Sequence, residues 1–253
     1  MSAVPDCALT AAEFDLVLAD LGLGRPPFPL EVPSRGATAA ERAELTAAAY
    51  RSLAERGLAT GGRLHERPAE LLRLLAAPAV SIDVVGHAGG PFRALAAADS
   101  RQAVLARIDA DELQLTEIRP TALARAAVDV LPPGEPGPAR TPQPFRRELL
   151  ERVLSEDDEV ADPFGGDLDD ETALERAGMP AADAAALVEL AEDRRGGGQF
   201  GVSRGPVRAS TLVTWFDTGG GRYLMTTENA WISIAPADDA RIAQRLADVL
   251  SAA

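Results

Sequence analysis

Six prolines fall within thirteen residues at 132–144, PPGEPGPARTPQP. Proline has no amide hydrogen, fixes its own φ and pushes the preceding residue out of the helical region, so no helix or inner strand can run through this stretch. The chain therefore reads as two halves, about 1–131 and 145–253, joined by a connector at 132–144 with no packed structure of its own.

Both halves follow one plan: helices, then strands, then one helix. In the first, TAAEFDLVLADLG (10–22) has Thr10 at the N-cap position and Glu13 three residues on, with Phe14, Val17, Leu18 and Leu21 on one face. Helices are also predicted over Ala39–Arg56, closed by Gly57, and over Pro68–Ala76. VSIDVV, PFRALAAAD, RQAVLARID and ELQLTEIR then alternate like an antiparallel meander, and RPTALARAAVDVLP restarts a helix at Pro120. In the second half, PFRRELLERVLSEDD, DETALERAG and MPAADAAALVELAEDRR read as helices. Strands follow at GQFGVSRG, STLVTWFDT, GRYLMTT and AWISIAP, before a last helix in PADDARIAQRLADVLSA. The ends match: LQLTEIRPTALARAAVDVL and AWISIAPADDARIAQRLADVL each set a strand against a Pro-initiated helix ending Asp-Val-Leu. This predicts an α+β fold of a duplicated unit with pseudo-two-fold symmetry. Its two meanders would share one central, mostly antiparallel sheet flanked by helical bundles, since each meander alone leaves an unpaired edge.

Composition narrows the chemistry. Net charge is -14, which repels nucleic-acid phosphates and anionic lipid heads, so neither is expected as a partner. All 25 basic residues are arginine, which removes the phosphate-loop lysine, the Schiff-base lysine and the lysine general base. One cysteine, Cys7, excludes an internal disulfide and fits a reducing cytosol. MSAVPDCALTAAEFDL has neither a basic stretch nor a long apolar run, so no leader peptide is expected, and no run of about 18 apolar residues predicts a membrane span.

Each motif that suggests catalysis meets a simpler reading. TLVTWFDTGGGRYLMTT carries Asp217-Thr218-Gly219, the way an aspartic protease presents its aspartate. Such a site needs two carboxylates sharing a proton, and the other half has no second copy. Asp217 is therefore expected to cap a hairpin turn in which glycines take positive φ. GGGQFG (196–201) matches a dinucleotide fingerprint only in spelling. The glycines follow a helix and enter a strand, the reverse of the required order, so they read as a helix cap and loop. SEDDEVADPFGGDLDDETALE lacks the spacing of a calcium loop, and His65 and His87 have no ligand partners nearby, so no metal or cofactor is expected. Trp215, Phe216, Tyr223 and Trp231 gather in the last hairpins. Trp215 and Phe216 alternate faces of one strand, so they either pack against the terminal helix or mark a sheet face that awaits a partner. No catalytic set remains, which favours a binding protein. A hydrolase using Asp217 or the acidic segment and a scaffolding oligomer are the alternatives.

Three stretches together resemble the EspG family of ESX (type VII) secretion-associated proteins: LGRPPFPLEVPSRGATAAERAEL with LAERGL, IRPTALARAAVDVLPPGEPGPAR, and GGGQFGVSR with WFDTGGGRYL and WISIAP. The resemblance covers nearly the whole chain. It implies a cytosolic chaperone without enzymatic activity that binds PE–PPE heterodimers at the apolar tip of the PPE helical bundle and directs them to secretion. The chain departs from the mycobacterial pattern at HAGGPFRAL, where a short turn replaces a long substrate-touching loop. Cargo is thus expected to be PE–PPE-like or a helical hairpin of the WXG type. By region, the resemblance places partner contacts on the second-half helices at Phe164, Leu168, Leu174, Met179, Leu187 and Leu190, beside the sheet residues Trp215 and Phe216.

Overall fold

The structure, a computed structural model, describes residues 5–156 and 169–252. The first half runs β1 (Cys7–Thr10), α1 (Ala11–Asp20), α2 (Ala39–Glu55), a hairpin of β2 (Ala59–Thr60) and β3 (Arg63–Leu64), and α3 (Glu66–Ala76). It continues through the meander β4 (Val80–His87), β5 (Pro91–Ala98), β6 (Ala103–Asp109) and β7 (Glu112–Ile118). A 3-10 turn at Pro120–Ala122 then leads into α4 (Leu123–Val128). The second half runs β8 (Phe145–Arg146), α5 (Arg147–Glu156), α6 (Asp169–Arg176), α7 (Ala181–Glu192), β9 (Arg194–Arg204) and β10 (Val207–Arg208). Then come β11 (Leu212–Thr218), β12 (Gly221–Glu228), β13 (Trp231–Pro236) and α8 (Asp239–Ala252).

Ten strands form one antiparallel path, β1-β7-β6-β5-β4-β9-β11-β12-β13-β8, with β10 paired to β9 beside it. The path reads alike from both ends: a short strand that opens each half pairs with the last strand of its own meander. The halves meet at the β4–β9 ladder, which runs from Val80↔Arg204 to His87↔Gly197. The predicted helices are found. α1 starts at a complete capping box, in which Thr10 Oγ1 accepts from the Glu13 amide at 3.1 Å and Glu13 Oε2 accepts from the Thr10 amide at 2.8 Å. Burial would raise the Glu13 pKa; the Thr10 amide and the Arg56 guanidinium at 2.6 Å outweigh it and hold the carboxyl below its usual range.

Three readings of the sequence are corrected. The strands β1 and β8 were not expected, because CALT and FR are too short to show alternation outside a sheet. GGGQFG lies within β9, between β4 and β11, and not in a cap and loop. A side chain at Gly198 would collide with the Val85 carbonyl and sit 2.6 Å from Gly86 Cα, so glycine there is what lets the ladder close. The connector has no helix, but it is packed. The Arg222 amide donates to Glu135 O at 2.7 Å, the Gly137 amide donates to Arg222 O at 3.0 Å, and Tyr223 Oη donates to Pro138 O at 3.1 Å.

Three cores follow from the layers. On one face, α4 and α8 pack together over Ile82, Val84, Phe200, Val202, Val213 and Trp215, spanning both halves. On the other face, α1–α3 cover Leu95, Ala97, Val104 and Ala106 in the first half. Helices α5–α7 share a core with Phe216, Tyr223, Ile232 and Ile234 in the second.

Arg222 is fully buried and ties these parts together. Its Nε and Nη2 donate to Asp217 at 2.7 and 2.9 Å, its Nη1 to Asp239 at 2.6 Å and its Nη2 to Pro132 O at 2.8 Å, while the guanidinium lies 5.0 Å from the Trp215 ring centroid. Burial alone would lower its pKa; Asp217 and Asp239 outweigh that and keep it charged. Removing the cation leaves two carboxylates facing each other. Arg222→Leu is therefore expected to lower the unfolding free energy by about 3 kcal/mol, read by urea denaturation; a loss below about 1 kcal/mol would show that Arg222 is not the tie described.

Candidate functional site

Asp217 is not a turn cap. Its carboxylate holds Arg222 across the β11–β12 pair, and the hairpin is closed by other groups. Thr218 Oγ1 accepts from the Gly220 amide at 3.1 Å and donates to Gly221 O, while Asp193 accepts from the Gly219 amide at 2.7 Å. Of the three turn glycines only Gly221 takes a positive φ, 134°. Among the described residues, no three His, Cys, Asp or Glu side chains gather as metal ligands.

The second-half candidates pack inward. Leu174, Met179 and Leu190 are buried with Phe216, which stacks on Tyr223 at 5.3 Å, and Leu187 is half-buried against them. These apolar stripes close α6 and α7 onto the sheet. Trp215 points to the opposite face, is 0% exposed and stacks on Phe92 at 6.3 Å. At these two positions the strand buries both faces, so neither Trp215 nor Phe216 offers open surface. Phe164 and Leu168 lie outside the described residues.

The open surface lies between the two helical layers, over the seam of the sheet. One row of paired residues crosses it: Arg93, Val85, Gln199, Thr214, Met225, Ile234. It starts half-buried at Arg93 and Val85, is exposed at Gln199, is half-buried at Thr214 and Met225, and is buried at Ile234. The next residues along three of these strands point the other way, and Val84, Phe200 and Val213 are each 0% exposed. The same stretch of sheet is thus sealed behind and bare in front.

Charges and an aromatic edge this strip. Asp83 is buried and takes Arg208 in a bidentate pair at 2.6 and 3.0 Å. That pair raises the Arg208 pKa further, against the lowering that burial brings. Gly201, Asp83's neighbour on β9, makes the pair possible, because a side chain there would occupy the guanidinium's place. Arg208 lies 5.9 Å from the Phe28 ring centroid, and Phe28 is 52% exposed. Leu212, on β11, is also open at 37%. At the other end of the ladder, exposed His87 leads into the short turn Ala88–Gly90, as the sequence predicted. Sequence reasoning missed Asp83, Arg208, Phe28 and Leu212, although the alternation in VSIDVV carried the signal for Asp83.

One long antiparallel sheet, helices on both faces and a bare central strip define an α+β protein with an open sheet surface. No helix among the described residues is long and apolar enough to cross a membrane. The chain belongs to the EspG family, whose model matches residues 10–248, as the resemblance in the sequence implied. Among solved structures it is similar to a chain of the Mycobacterium tuberculosis type VII secretion system chaperone EspG5 in complex with the PE25–PPE41 dimer. The TM-score is 0.73 at 17% identity, covering 97% of this chain and 95% of that chain. The comparison with curated proteins gives no match.

Asp83 without Arg208 would be a buried charge with water reaching it from one side only. Because the Arg208 side chain is half open, Arg208→Ala is expected to cost about 1–2 kcal/mol. Thermal and urea unfolding would read this, and an unchanged midpoint would remove the pair from the account of the strip.

Proposed function

We propose that this protein is a non-enzymatic cytoplasmic chaperone of a type VII secretion system. It holds PE–PPE-type helical cargo against the open strip until the cargo reaches the secretion machinery. The observation that carries the reading is the partly open row Val85–Gln199–Thr214, backed by a sealed layer, in a member of the EspG family. The relative of the same fold was solved with a PE25–PPE41 dimer. A strip backed by a close-packed layer is rigid, so docking on it loses little ordering entropy. The half-open Leu187 on α7 is kept as a rim contact. The same reading takes 1–253 as one domain of two related halves.

Co-expression with each PE–PPE-type pair of the same genome should yield a stable complex on size exclusion with at least one pair. Soluble pairs that never co-elute would sink the reading. The hydrolase alternative meets its own test. Asp217 holds a buried arginine, so Asp217→Asn should lower the melting temperature and leave cargo binding intact. Selective loss of a hydrolytic activity at unchanged stability would overturn the non-enzymatic assignment.

A further inference from the structure

Phe28 is an exposed aromatic on a segment that cannot yield. Pro26, Pro27 and Pro29 surround it and restrict the backbone. The Leu30 amide donates to Pro27 O at 2.7 Å, and the Leu30 side chain is 0% exposed. Arg93, a residue of the strip, donates through Nη1 to Pro29 O at 3.0 Å and to Glu31 O at 2.8 Å. Arg208, itself locked by Asp83, faces the ring at 5.9 Å. The backbone that carries the ring is thus held at Leu30 and by Arg93, Arg208 faces the ring itself, and half of the residue faces water.

Burying a loose aromatic on binding would require ordering its loop; burying this one does not. Aromatic and arginine side chains in desolvated contacts dominate binding energy where they occur. A ring held this way is a fixed projection, and its partner must supply a socket. We infer that Phe28 is the anchor of the docking surface, a knob that enters the apolar cleft between the two antiparallel helices at the tip of a helical-hairpin cargo. Two helices packed side by side leave such a groove between their side-chain ridges. The Arg208 guanidinium then lies by the C-terminal end of the first of the two helices, where unpaired carbonyls collect negative charge. The inference rests on the chaperone reading above.

The test uses the PE–PPE-type pair that binds the wild-type chain. Phe28→Ala should weaken its binding about 30-fold or more, Phe28→Leu by less, and Phe28→Trp should retain most of it. Trp231→Ala is the control: Trp231 is 43% exposed, but it sits on β13 beside the sheet's end strand and points to the other face, under Arg146. It should leave binding unchanged. A photo-crosslinking phenylalanine analogue at position 28 should label both helices at the cargo tip. Binding of the Phe28→Ala variant within threefold of wild type, an equal loss from Trp231→Ala, or crosslinks away from the hairpin tip would each overturn the inference and leave the chaperone reading standing. If no pair binds the wild-type chain, both fall together.

Discussion

The β4–β9 ladder is the constraint on which the rest of the molecule depends. Each half has a complete meander and its own helical layer, but each meander begins with a strand, β4 or β9, whose outer edge its own half leaves free. Pairing those two edges makes one sheet from two. The pairing is tight because Gly198 lets the β9 backbone approach Val85 and Gly86 closer than any side chain would permit. The glycines of GGGQFG have their physical reason in this approach.

The open strip follows from that seam. The helices that precede each meander cover their own half, α1–α3 on one side and α5–α7 on the other, and among the described residues neither core takes in Val85, Gln199 or Thr214. The helix that follows each meander does the opposite. α4 and α8 come off the outer strands β7 and β13, cross back and meet each other over the seam on the far face. A two-fold arrangement of this kind leaves one face of the central strands sealed and the other bare. The strip is a consequence of topology, and its side chains are adapted to exposure: Gln199, Thr214 and His87 in front, Phe200, Val213 and Val84 behind.

Much of this was legible in the sequence. Period-two alternation marked all four strands of the first meander, and the Thr10–Glu13 spacing marked the start of α1. Local pattern failed where the cause is distant. β1 and β8 exist only because β7 and β13 offer them an edge. The predicted strands STLVTWFDT and GRYLMTT set Asp217 opposite Arg222 across a two-residue turn, but nothing nearby says that Asp239 and the Pro132 carbonyl close around the same guanidinium. The apolar spacing of Leu174, Met179 and Leu190 identified helices that bury a face, but periodicity does not tell a buried face from a docking face. Phe28 was hidden for a related reason: a single aromatic among prolines has no period at all.

The two arginine ties differ in kind, and the difference separates structure from surface. Arg222 is wholly enclosed, spends four of its five N–H donors on two carboxylates and a connector carbonyl, and is closed to any partner. It converts the connector from a tether into part of the fold. Arg208 is half open, meets one buried carboxylate, and turns its remaining face to Phe28 and water. Because Asp83 is buried, this half-open pair contributes modest stability. Beside an exposed aromatic it also acts on geometry. It fixes a guanidinium and a ring in one place at the edge of the strip.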